Sequence, residues 1–120
     1  MLLIIDNDPH FLQEAEQRLE SPRGIFFARN AAHAKELMDT VGGAFSAVLI
    51  DLDLPGQDGF SLIREMHDHF PDLPLIAISG VFQPNVLESA KLVGASDILP
   101  KPISEEWNAV IERVRARRSG

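Results

Sequence analysis

Four short runs of this chain carry residue types that could do chemistry together: Asp6-Asn7-Asp8, Asp51 with Asp53, Ser79-Gly80, and Lys101-Pro102. Each follows directly on apolar residues: LLII, AVLI, LPLIAI and DILP. Clustered carboxylate and amide oxygens suit a hard cation such as Mg²⁺, which keeps several waters and uses one or two protein carboxylates. An ammonium and a hydroxyl opposite them would hold phosphoryl oxygens. Asp51, between these groups, has the chemistry of a nucleophile that becomes an acyl phosphate. A lone acid at a strand end could equally cap the element that follows. Partners at neighbouring strand ends weigh against that for Asp51.

The elements that must position these residues follow from the apolar pattern. LLII (2–5) is a strand, followed by a helix that Asp8 caps and Pro9 opens, running to about Glu20. GIFFA (24–28) precedes a helix from Ala31 to Asp39 with Asn30 as cap, broken by Gly42-Gly43. AVLI (47–50) is a third strand, and LPGQDG is a loop of turn residues. The next helix, 60–69, carries Phe60, Ile63 and Met66 at helical spacing. LPLIAIS (73–79) is a fourth strand, Pro84 opens a helix that Gly94 closes, and DIL (97–99) is a short fifth strand. Ser104 caps a last helix with Trp107, Val110, Ile111 and Val114 on one stripe. The strands are continuous apolar runs, which marks a parallel sheet covered on both faces. The expected fold is therefore α/β: a five-stranded, doubly wound parallel sheet of flavodoxin-like (βα)5 type. It forms a single domain over residues 1–120, with ligands beyond the carboxyl ends of the strands.

Composition narrows the function classes. Of 120 residues, 45% are hydrophobic and 24% charged, a globular balance with no run long enough to span a membrane. There is no cysteine, which is compatible with a cytoplasmic home. A net charge of −7 argues against direct nucleic-acid binding. The basic run RVRARR, with Arg113, Arg115, Arg117 and Arg118, reads as cations suited to a helix C-terminus. His10, His33, His67 and His69 are scattered on helical stretches and read as solvated, and Trp107 reads as core or rim packing.

AVLIDLDLPGQDGF resembles the phosphoacceptor segment of bacterial two-component response regulator receiver domains of the chemotaxis-regulator type. The likeness extends to the acidic end of the first strand, the hydroxyl in AISG, the GAS turn and LPKP. It implies that Asp51 accepts a phosphoryl group from a phosphohistidine of a sensor histidine kinase or phosphotransfer protein. It further implies that Asp6 and the backbone carbonyl of Asp53 help Asp51 to hold Mg²⁺. Lys101 would contact the phosphoryl group across a cis bond to Pro102. Ser79 would move toward the phosphoryl oxygens and change the face formed by the fourth helix, fifth strand and fifth helix. Such a protein is a switch and not an enzyme, with slow self-dephosphorylation at most. It would work as a monomer or weak dimer on a downstream protein that the sequence does not name.

Two positions depart from that pattern. Asn7 stands where the family usually has a second acid on the metal; its amide oxygen can still ligate, without the charge. Asp8 is a possible substitute ligand, although capping ahead of Pro9 is its simpler role. Ile98 stands where a rotating Tyr or Phe is usual, so the coupled switch of Ser79 and that residue must be altered. These departures motivate a second reading, a degenerate receiver that binds protein independently of phosphate. A third is an enzyme, because DLDLPG also resembles the nucleophile motif of haloacid-dehalogenase-like phosphatases. That motif, however, belongs on a first strand of a longer chain, and after Asp72 only Asp97 remains as an aspartate.

Overall fold

A computed structural model describes residues 1–21, 23–81 and 83–119. Five strands alternate with five helices: β1 (Leu2–Ile5), α1 (Pro9–Arg18), β2 (Ile25–Ala28), α2 (Ala31–Val41), β3 (Ala47–Asp51), α3 (Gly59–His69), β4 (Leu75–Ser79), α4 (Pro84–Leu92), β5 (Asp97–Pro100) and α5 (Glu106–Ser119). The strands form one parallel sheet in the order β2-β1-β3-β4-β5. The chain therefore leaves β1 toward one edge and returns through β3 toward the other. This reversal opens a crevice at the carboxyl ends of β1 and β3, the place where such sheets bind ligands. The expected flavodoxin-like architecture is the one observed.

Side chains alternate across each strand, and the two resulting layers are distinct. Leu3, Ile5, Val48, Ile50, Leu75, Ala77 and Ile98 pack against Ala34 and Met38 of α2, Leu62, Ile63 and Met66 of α3, and Ala90 of α4. Leu2, Ile4, Leu49, Ile76, Ile78 and Leu99 pack against Phe11, Leu12 and Ala15 of α1 and Trp107, Ile111 and Val114 of α5. Each fully buried Leu or Ile contributes about 2 kcal/mol of transfer free energy. A double layer of such residues is thus what holds the strand ends in register.

The caps follow the sequence. Asp8 accepts from the His10 N–H at 3.0 Å, Asn30 from His33 at 2.8 Å and Asp58 from Ser61 at 2.9 Å. Element bounds shift from expectation for local reasons. α1 stops at Arg18 because Leu19 turns extended, and the Glu20 N–H goes to the Asn108 side chain at 2.9 Å. α2 continues to Val41 and passes into a 3₁₀ turn at Gly42–Ala44, where a simple break was expected. β4 begins at Leu75, since Leu73 is spent on a turn to the Phe70 carbonyl at 3.0 Å. α5 starts at Glu106, its N–H 3.4 Å from the Ser104 hydroxyl. The side chain of Arg118, in the basic run, lies outside those described.

α3 begins under the end of β3. A Cβ on Gly59 would sit 2.5 Å from Leu52 Cα and closer still to the Asp51 carbonyl oxygen, so only glycine fits against that backbone. Gly59→Ala must push α3 away from the end of β3, and it is expected to cost about 2–3 kcal/mol in urea denaturation.

Candidate functional site

The three charged residues expected to work together meet at the carboxyl ends of β1, β3 and β5. Asp6 is fully buried and Asp51 nearly so. Lys101 Nζ lies 2.7 Å from Asp6 Oδ2 and 3.4 Å from Asp51 Oδ2. Backbone groups hold the other carboxylate oxygens: the Asp8 N–H donates to Asp6 Oδ1 at 2.8 Å, and the Asp53 N–H to Asp51 Oδ1 at 3.0 Å. The Lys101 N–H donates to the Ser79 carbonyl at 2.9 Å, which fixes the segment after β5 to the end of β4. The Lys101–Pro102 peptide is cis.

Strand alternation explains why these side chains converge. Asp51 continues the row of Ala47 and Leu49, and Asp6 continues that of Leu2 and Ile4, both on the α1/α5 side of the sheet. Ser79 continues the row of Leu75 and Ala77, on the side of α2, α3 and α4. It is buried at the neighbouring strand end, but its hydroxyl is closed on its own loop. The Oγ–H donates to the Val81 carbonyl at 2.7 Å, and Oγ accepts from the Val81 N–H at 3.0 Å. Ile98 is buried on that same side, in the apolar layer.

Burial raises the Asp6 pKa above its ordinary value, and the nearby Asp51 charge adds to the rise; contact with Lys101 and the Asp8 N–H opposes it without cancelling it. Burial would lower that of Lys101, yet Asp6 and Asp51 together raise it, keeping the ammonium protonated. The close approach of Lys101 to Asp6 Oδ2 brings charge but no well-directed hydrogen bond, so this buried oxygen lacks a donor. An orphaned carboxylate oxygen next to a second carboxylate fits a hard divalent cation that keeps most of its waters. Among the described residues no three His, Cys, Asp or Glu side chains converge. Asn7 and Asp53 are exposed beside the buried pair and can supply neutral oxygens. Asp8 spends Oδ1 on the α1 cap, the role that competes with metal ligation.

One feature of the site was not legible in advance. The Phe11 ring lies under the Lys101 ammonium, 4.6 Å from centroid to Nζ, and packs on Trp107 at 5.7 Å. Trp107, expected as core or rim packing, is fully buried and also donates its indole N–H to the Pro100 carbonyl at 3.1 Å. Its spacing with Val110 and Ile111 marks the apolar stripe, but nothing local marks the hydrogen bond.

Comparison with known proteins bears on the family and the fold. The family model of the response regulator receiver domain matches residues 2–114. The C4-dicarboxylate transport transcriptional regulatory protein DctD of Pseudomonas aeruginosa is 33% identical over 115 residues, covering 95% of this chain and 24% of that protein. The sensor protein TorS of Escherichia coli is 32% identical over 106 residues, covering 88% of this chain and 12% of its own length. The chain thus spans a minor part of these relatives. In fold it is similar to a CheY-like receiver domain protein of Methanospirillum hungatei, with a TM-score of 0.86 at 22% identity over 98% of this chain and 94% of that one. It is likewise similar to the signal receiver domain of an HD domain-containing protein of Pseudomonas fluorescens, with a TM-score of 0.88 at 24% identity over 98% and 88%. The chain belongs to the response regulator receiver domain family. No helix among the described residues is long and apolar enough to cross a membrane.

The raised Asp6 pKa has a measurable sign. The folded state holds that proton more tightly than the unfolded chain, whose value is near 3.8. Its contribution to stability is therefore full below pH 3.8 and lost as pH rises through the folded value. Asp6→Asn is expected to raise the thermal midpoint at pH 7 in EDTA, by roughly 2–5 °C. The gain should vanish below pH 3.8, as followed by circular dichroism.

Proposed function

We propose that this receiver domain is a phosphorylation-dependent switch in which Asp51 takes a phosphoryl group from a phosphohistidine. The donor would be a sensor histidine kinase or a phosphotransfer protein. The observation that carries the reading is the Lys101 ammonium set between Asp6 and Asp51, two buried carboxylates at adjacent strand ends. A buried pair of acids bridged by one cation costs stability that a purely structural site would avoid.

In the transfer, an oxygen of Asp51 forms the bond to phosphorus as the bond to the histidine nitrogen breaks and the imidazole departs. The Asp53 N–H orients the Asp51 carboxylate through Oδ1. Lys101 meets the negative charge on the phosphoryl oxygens. Asp6 and Asp51, with the Asn7 amide oxygen and the Asp53 carbonyl, would hold Mg²⁺, which would supply positive charge to offset that of the phosphoryl group. Asp8 stays with the α1 cap. Ser79 must give up its two bonds to Val81 before its hydroxyl can reach a phosphoryl oxygen, and that exchange would pull on the loop leading to α4. The surface read by a downstream protein is then α4, β5 and α5. Ile98, buried and aliphatic, cannot act as a rotating ring on that surface.

In this reading the domain is a phosphoacceptor in the cytoplasm and not a turnover enzyme. A phosphate-independent binding module is the second reading, favoured by Asn7 and Ile98.

Intact-mass spectrometry after incubation with acetyl phosphate tests the proposal. One phosphoryl group should be added, in a Mg²⁺-dependent manner, and Asp51→Asn should abolish it. Absence of an adduct on folded protein in excess Mg²⁺ would favour the binding module. Restoring the acid by Asn7→Asp is expected to tighten Mg²⁺ binding roughly three- to tenfold, read by calorimetry, because affinity follows ligand charge.

A further inference from the structure

The Lys101 ammonium has a third neighbour besides the two carboxylates: the face of Phe11, which carries the negative end of the ring quadrupole. The Lys101 side chain is 24% exposed, so water reaches it from one side only. Phe11 is 5% exposed and cannot swing away, because the fully buried Trp107 packs on it with the planes tilted by 53°. The Trp107 indole N–H in turn holds the carbonyl of Pro100, the residue before Lys101. One aromatic residue thus fixes both the backbone that carries the lysine and the ring beneath its ammonium.

We propose that Phe11 is a positioning residue for Lys101: its ring face, braced by Trp107, holds the ammonium between Asp6 and Asp51, where an incoming phosphoryl group needs it. The phosphorylation readout rests on the function proposed above. The bland alternative is that Phe11 is only core. A core ring needs shape, whereas a positioning ring needs its electron-rich face, and the two can be separated. Progressive fluorination of a phenyl ring weakens and finally reverses the quadrupole while nearly keeping the shape.

The test places mono-, tri- and pentafluorophenylalanine at position 11 and measures the rate of acetyl-phosphate-dependent phosphorylation over a Mg²⁺ titration. The rate should fall stepwise, reaching about three- to tenfold for the pentafluoro ring, the size of a partly desolvated cation–π contact. The Mg²⁺ concentration for half-maximal rate should stay unchanged, because the ring touches the ammonium and not the oxygens. A pentafluoro rate equal to or above wild type overturns the proposal. If the wild-type protein itself takes no phosphoryl group, the receiver reading fails, and a second measurement decides this one. It is a thermal double-substitution cycle in EDTA between the pentafluoro ring and Lys101→Met. Midpoint shifts that miss additivity by roughly 2–4 °C uphold the contact, and additive shifts overturn it.

Discussion

Everything at the carboxyl edge of this sheet is arranged around one ammonium between two buried carboxylates. Charges taken out of water are expensive, and their mutual attraction offsets the cost only when geometry and additional hydrogen bonds are right. Here the geometry is incomplete. Two backbone N–H groups and Lys101 serve Asp6 and Asp51, yet one Asp6 oxygen stays without a directed donor, and the Asp6 pKa remains raised. The fold tolerates this because the atoms on either side are not free to rearrange. The strands that carry the acids are buried on both faces, and Lys101 is tied through its backbone to Ser79.

The two-residue period of a strand then partitions the work. Asp6 and Asp51 fall on the α1/α5 side, together with the aromatic pair that supports Lys101. Ser79 and Ile98 fall on the side of α3 and α4. The Asp6–Asp51–Lys101 cluster and Ser79 are thereby placed on opposite faces of one sheet. They meet at its edge, where the Lys101 N–H donates to the Ser79 carbonyl.

Much of this is legible in the sequence. Asp8, Asn30, Pro9 and Pro84 announce helix starts by mechanisms that act within one turn of chain, and the strands are apolar enough to be read as buried. The acids, the hydroxyl and the lysine could be brought together by topology alone, since a parallel sheet gathers its strand ends. What sequence spacing does not carry is the meeting of distant side chains on one face. The stacking of Phe11 on Trp107, and the direction of the Ser79 hydroxyl, depend on three-dimensional neighbours. The same holds for the end of α1, where Asn108, far along the chain, takes up the N–H of Glu20. The start of β4 differs for a local reason, because the turn at Leu73 outcompetes an apolar run that looks like strand.

The described contacts of α4 are unlike those of the other helices on its side of the sheet. Only Ala90 is fully buried; Val86 and Leu87 are half-covered, and Leu92 is 84% exposed. Its cap residue, Gln83, makes no side-chain bond to the first turn. Cooperative units of a protein open at free energies set by how much apolar surface they bury and how well their ends are satisfied. By that measure α4 is separable from the rest, able to tilt or fray while the sheet beneath stays intact. An input acting through the adjoining Ser79–Val81 turn would therefore act on a helix held by little buried apolar surface. Its signal need exceed only a small fraction of the domain's unfolding free energy.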